Sequence, residues 1–177
     1  MQEDNGSNIK KFELPGSKAH YAPSLSFTIS HMQLSIEPDF KSKTISCEQQ
    51  LEVIAIQSID EIILDICELH IKSVSSVDID VVIAANVSDS NNHIKELNFR
   101  NYGDKLIIKL ERMLSEGSIF RIAIVYSAKP RKGFYFIEPD KYYPKKNLQA
   151  WTQGQTIESK YWFPCLDHPL VKFESEI

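Results

Sequence analysis

Along most of this chain hydrophobic and polar side chains alternate with a period of two, the pattern that puts one face of a strand in a core and the other in solvent. The alternation starts near Phe27: Met32, Leu34 and Ile36 exchange with Gln33 and Ser35, until Glu37-Pro38-Asp39 ends the run. Residues 44–57 carry it furthest, with Ile45, Cys47, Gln49, Leu51, Val53 and Ala55 on one face. At the far end Ile54 and Ile56 make the second face apolar too, which predicts cover on both sides. Shorter β-branched runs at 62–66, 69–74 and 77–84 have the spacing of a meander, and the Asn-, Asp- and Ser-rich residues 86–92 predict a hairpin loop. The pattern resumes at 93–99, 105–110 and 118–127; of these segments only 110–116 is compatible with a helix, and a short one. About nine strands without a sustained helical period predict an all-β fold, a sandwich or an open barrel.

Breakers divide the chain. Gly6, Ser7, Pro15, Gly16, Ser17 and Pro23 predict a polar leader and extended arm over residues 1–25, leaving one β domain over 26–177. After Ala128 come a turn at 129–133, a short aromatic strand at 134–137 and an irregular loop at 139–146 holding Tyr142, Tyr143 and Pro144. Loops of this kind are where function concentrates. Residues 171–177 read as one more strand, inside which the sequence stops, so the β domain is expected to be truncated at its C-terminal end.

Composition narrows the classes. A chain of 177 residues with 42% hydrophobic content is long enough for one domain with a sizeable core. Its net charge of −4 gives no support for nucleic-acid binding, which needs a concentrated basic face. The basic cluster at 129–132 is interrupted by Pro130 and reads as a solvated loop. Cys47, Cys67 and Cys165 form an odd count without a C-x-x-C pair, so buried, reduced thiols are expected rather than a disulfide framework or a zinc knuckle. Residues 1–11 lack an apolar signal core, and no apolar run approaches the roughly 18 residues that span a membrane. A soluble, cytoplasmic protein is expected.

Standard catalytic patterns are absent from the sequence. There is no H-E-x-x-H, whose two imidazoles one helical turn apart would hold a zinc ion, and His20, His31, His70, His93 and His168 are isolated. Nucleophile elbow, phosphate loop and dinucleotide fingerprint are also missing. Asp78 and Asp80 share a strand face but read as a solvated sheet edge, and Cys165, beside Pro164 and without a base, reads as a packed small side chain.

Both tryptophans fall within residues 151–169, W-T-Q-G-Q-T-I-E-S-K-Y-W-F-P-C-L-D-H-P. Thr152-Gln153-Gly154-Gln155 followed by Pro164-Cys165-Leu166-Asp167-His168-Pro169 resembles the T-Q-x-[EQ] and P-C-x-D-x-P signature of the N-terminal domain of the aminopeptidase N family, zinc metallopeptidases of the gluzincin group that include leukotriene hydrolase-type members. The run from His31 to Asp39 is similar to that family's first strand, and Gly133-Phe134-Tyr135 to its glycine-aromatic turn, so the resemblance covers about 27–177. It implies a saddle-shaped, all-β module that packs against its own thermolysin-like catalytic domain, which is missing from this sequence and would carry the zinc. It further implies that Gln155 anchors the free α-amino group of a peptide substrate and that Gln153 lines the pocket for the first side chain. A carboxamide oxygen can accept from an ammonium, although it lacks the charge of Glu. The expected role is therefore the N-terminal, non-catalytic domain of a zinc-dependent aminopeptidase, with no catalytic residue, metal ligand, nucleic-acid or membrane contact of its own. Lys160 and Tyr161 stand where the family often has paired arginines, and Tyr161-Trp162-Phe163 also resembles the inactive, aminopeptidase-like subunit of a general transcription factor. A scaffold or interaction domain is the alternative. Trp162 and Phe163 read as core, Asp167 as a turn-fixing carboxylate and His168, before a proline, as extended.

Overall fold

A computed structural model describes residues 24–77 and 94–177. Residues 1–23 of the expected leader and arm, the strand at 77–84 beyond Val77, the hairpin loop at 86–92, Asp78, Asp80, His20 and His93 lie outside the described residues. The elements are β1 (Phe27–Asp39), β2 (Thr44–Ala55), β3 (Ile59–Asp65), β4 (Leu69–Val77), β5 (Ile94–Glu96), β6 (Phe99–Asn101), β7 (Lys105–Leu114), β8 (Ile119–Ala128), β9 (Phe134–Ile137), β10 (Gln149–Thr152), one 3₁₀ turn (Ser159–Tyr161) and β11 (Glu174–Glu176). They form a six-stranded sheet in the order β11-β1-β2-β8-β4-β5, a three-stranded sheet β3-β7-β6 and a two-stranded ribbon β9-β10. The all-β expectation holds, and among the described residues no sheet closes into a barrel.

Period-two alternation produces the core directly. Ile45, Cys47, Gln49, Leu51 and Val53 of β2 point inward, as do Ile122, Ile124 and Tyr126 of β8, and all are buried. Ile62 and Leu64 of β3 with Leu106 and Ile108 of β7 join them in one cluster, so the two larger sheets share a single core. The long hairpin β1-β2 is closed at Asp39, whose carboxylate accepts from Lys41 N–H at 2.8 Å and from the Ser42 hydroxyl at 2.8 Å. Pro38 fits within β1 because β11 pairs only with residues 31–33, which leaves that edge free at the proline. A bulge at Ser30 turns its hydroxyl onto Glu52 at 2.7 Å, and Arg121 donates to the same carboxylate from Nε at 2.9 Å and Nη2 at 2.6 Å. This ladder ties three adjacent strands.

Four expectations need correction. Residues 110–116 are not helical, because β7 runs on to Leu114, which is buried and pairs with Ile59. Helix propensities differ by only ~0.7 kcal/mol per residue, whereas burying a leucine contributes about 1.5–3 kcal/mol, so burial decides. The single strand expected at 93–99 is divided between two sheets as β5 and β6, since Leu97 turns into the core and donates its N–H to Val74 O at 2.9 Å. The second apolar face near Ile56 is not covered, and Ile56 is 47% exposed. Of residues 171–177 only Glu174–Glu176 pair, in parallel with β1.

Candidate functional site

The ribbon and the segment after it build the region singled out by sequence. Tyr135 and Trp151 stack on the ribbon's open face with centroids 4.7 Å apart, while Phe134 turns inward against Trp162 at 5.8 Å. As β10 ends, Gln153 N–H donates to Gly133 O at 2.9 Å. Gly133 is required here twice over. Its φ is +75°, and a β-carbon would lie 2.3 Å from Glu158 O and 2.8 Å from Trp162 Cδ1. Gly154 is less confined, since its β-carbon would meet only the Ser159 hydroxyl, which can rotate away; its carbonyl accepts from Glu158 N–H at 3.0 Å. An ion pair between Lys132 and Glu158 at 2.9 Å closes the turn from outside.

The downstream half is clamped onto the edge of the three-stranded sheet. Cys165 and Asp65 exchange backbone hydrogen bonds at 3.1 and 2.7 Å, and Cys67 N–H donates to Lys160 O at 2.8 Å. Asp65 also accepts from Asp167 N–H at 3.0 Å and from Lys105 Nζ. From the opposite sheet, the fully buried Gln49 donates Nε2 to Pro164 O at 3.0 Å. Beyond Asp167, His168 O accepts from Val171 N–H at 3.0 Å in a turn with Pro169 at its second position, and His168 Nδ1 accepts from Leu170 N–H at 3.2 Å.

Between these halves lies a concavity of about 520 Å³, whose lining includes Gln155, Thr156, Phe163, Leu166, Asp167 and His168. Gln155 is exposed at this concavity, and its carboxamide has no hydrogen-bond partner among the described residues. Gln153 is also exposed but does not line the concavity; its Oε1 instead accepts from Gln155 N–H at 3.2 Å, so one glutamine fixes the backbone of the other. Trp162 and Phe163 are buried in the core, as expected, and Phe163 also borders the concavity. The Asp167 carboxylate faces the backbone N–H groups of Lys160, at 3.4 Å, and Ser159, and burial raises its pKa above the ordinary carboxylate value against their pull.

Other groups follow from their surroundings. Cys47 and Cys165 are buried thiols and Cys67 is half-buried. Burial pushes the Cys47 pKa up to about 11 and that of Cys165 well above its ordinary value, which removes both as nucleophiles at neutral pH. Among the described residues no three or more His, Cys, Asp or Glu side chains gather as a metal site, so a zinc ion has no fitting donor set there. No helix among the described residues is long and apolar enough to cross a membrane. Sequence reasoning missed Gln49 and Asp65. An amide on the otherwise apolar face of residues 44–57 was a signal for the first; nothing local marked the second.

Comparison with known proteins places these features. The profile of the family described as the Peptidase M1 N-terminal domain matches residues 18–177. Rat (Rattus norvegicus) aminopeptidase B is 30% identical over 74 residues, covering 42% of this chain and 11% of the rat protein. Leukotriene A-4 hydrolase of Xenopus laevis is 28% identical over 149 residues, 83% of this chain and 23% of its own length. In structure, an M1 zinc metallopeptidase mutant of Deinococcus radiodurans, bound to a Tyr-Ser-Ala substrate, superposes with a TM-score of 0.62 at 16% identity, over 85% of this chain and 31% of that one. The chain thus spans about a tenth of the first relative and less than a third of the solved peptidase.

Proposed function

The chain belongs to the peptidase M1 N-terminal domain family, and from that premise we propose that it is the N-terminal, non-catalytic β domain of a zinc-dependent aminopeptidase that removes N-terminal residues from peptides. In this reading Gln155 anchors the substrate's α-amino group, Gln153 supports it, and the metal and the rest of the site belong to a catalytic domain against which this domain packs. The observation that carries the reading is the free carboxamide of Gln155 at a concavity, on a backbone held by the Gln153 carboxamide and by the hydrogen bond from Glu158 N–H to Gly154 O. The backbone that carries this acceptor is set before a ligand arrives. An ammonium donating to it forms a charge-assisted hydrogen bond, worth about 1.5–3 kcal/mol.

Capturing the amine sets exopeptidase register, because it fixes which carbonyl reaches the reacting centre. Loss of the anchor therefore raises KM and lowers kcat together. The test is Gln155→Ala in the full-length protein, with kcat/KM measured on an aminoacyl anilide. A loss of roughly 10- to 150-fold is expected from the strength of the bond. A change below about threefold, under roughly 0.7 kcal/mol, argues against a direct contact.

A further inference from the structure

The chain after Pro169 is held to the domain by a short edge strand. β11 pairs in parallel with β1 over three residues, Glu174 opposite His31, Ser175 opposite Met32 and Glu176 opposite Gln33. All three β11 residues are exposed, so no buried side chain of the strand fixes it, and the pairing rests on the backbone ladder and on charge. The strand brings two carboxylates to the sheet edge. His31 is the basic group that meets them: Glu174 faces it from β11, Glu52 faces it from β2, and its Nε2 lies 3.8 Å from Glu176 Oε1. Glu52 is already matched by Arg121 of β8, whereas Glu174 and Glu176 have no ion-pair partner other than His31 among the described residues. Lys172 precedes the paired residues and lies outside the ladder.

We propose that His31 is a proton-operated latch for β11: charged, it draws the carboxylates of the strand onto β1; neutral, it leaves them at the edge without a cation. An imidazole changes charge between about pH 5 and 8, while carboxylic acids ordinarily titrate below that range. Proton binding by His31 and docking of β11 therefore favour each other, so docking tightens as pH falls through the histidine range and loosens as it rises. The effect reaches further than the strand. Val171 and Phe173, just before β11, line one side of the concavity, so the same proton bears on how firmly that wall is held.

The experiment is hydrogen–deuterium exchange of the full-length protein, read by mass spectrometry at about pH 5.5 and about pH 8, with exchange times scaled for the intrinsic rates. Peptides covering residues 171–177 should exchange about two- to fivefold more slowly at the lower pH, the range that an exposed ion pair supplies. His31→Gln should exchange fast at both pH values. His31→Lys, which carries a cation throughout, should exchange slowly at both. Equal exchange of 171–177 in the parent at the two pH values overturns the proposal, and so does a pH response that persists in His31→Gln or in His31→Lys. Should the His31 variants fail to fold, Glu174→Gln combined with Glu176→Gln, two exposed side chains, decides instead: the pH response should vanish, and an undiminished response refutes the latch. No bound ligand enters these readouts, so their outcome is independent of the amine-anchor reading.

Discussion

Replacing Gly133 with alanine tests how the site segment is held. The substitution acts in two ways that a comparison with Gly117 separates. First, φ is +75°, and an L-residue in the left-handed region costs about 1–2 kcal/mol. Second, the new methyl would sit 2.3 Å from Glu158 O and 2.8 Å from Trp162 Cδ1, where contact distances are roughly 3.5 Å. Neither neighbour yields easily, since Glu158 O accepts from Tyr161 N–H at 3.3 Å and the buried indole packs between Phe134 and Phe163. Overpacking of this kind adds about 1–3 kcal/mol, for a total of about 2–5 kcal/mol. Gly117 has a similar φ of +78° with nothing within 4 Å of its virtual β-carbon, so Gly117→Ala should cost only the first part. Urea unfolding of both variants beside the parent, followed by tryptophan fluorescence, gives the comparison. Gly133→Ala should be the less stable of the two by at least about 1 kcal/mol. Equal stabilities would refute the close approach that positions Gln153 and Glu158.

Two further outcomes follow from the same contacts. Gln49→Ala removes the donor to Pro164 O and opens space beneath the segment, and should destabilise by about 2–4 kcal/mol in denaturant titration; Gln49→Leu, which keeps the volume, should cost less. The Ser30 hydroxyl and then the Arg121 guanidinium hold the Glu52 carboxyl below its ordinary pKa. A depressed folded-state value means that this stabilisation is present above the ordinary glutamate pKa and is lost as pH falls through the folded one, so the stability advantage of the parent over Glu52→Gln should shrink on acidification. An advantage that stays constant with pH would contradict the ladder.

Local periodicity carried the fold where pairing follows the pattern, as in β2, whose Ile45, Leu51 and Val53 are buried as their alternation requires. It failed where a distant partner decides. Leu114 belongs to a strand because Ile59 lies across from it, and Leu97 breaks its run because Val74 offers a carbonyl and the core a place. The glutamine pair was legible from its motif, but its support was not. Gly133 reads as an ordinary turn residue until Glu158 is set against it, and the clamp joins Asp65 to Cys165 and Asp167 across about a hundred residues of sequence. Such approaches exist only after folding, and no spacing along the chain encodes them.

The most direct measurement of the central claim is a crystal structure of the full-length protein with an unreacted peptide or amino acid amide bound. The ligand's α-nitrogen is expected at hydrogen-bond distance from Gln155 Oε1, about 2.7–3.2 Å. A ligand bound in the catalytic cleft with that nitrogen more than roughly 4 Å from the Gln155 carboxamide would contradict it.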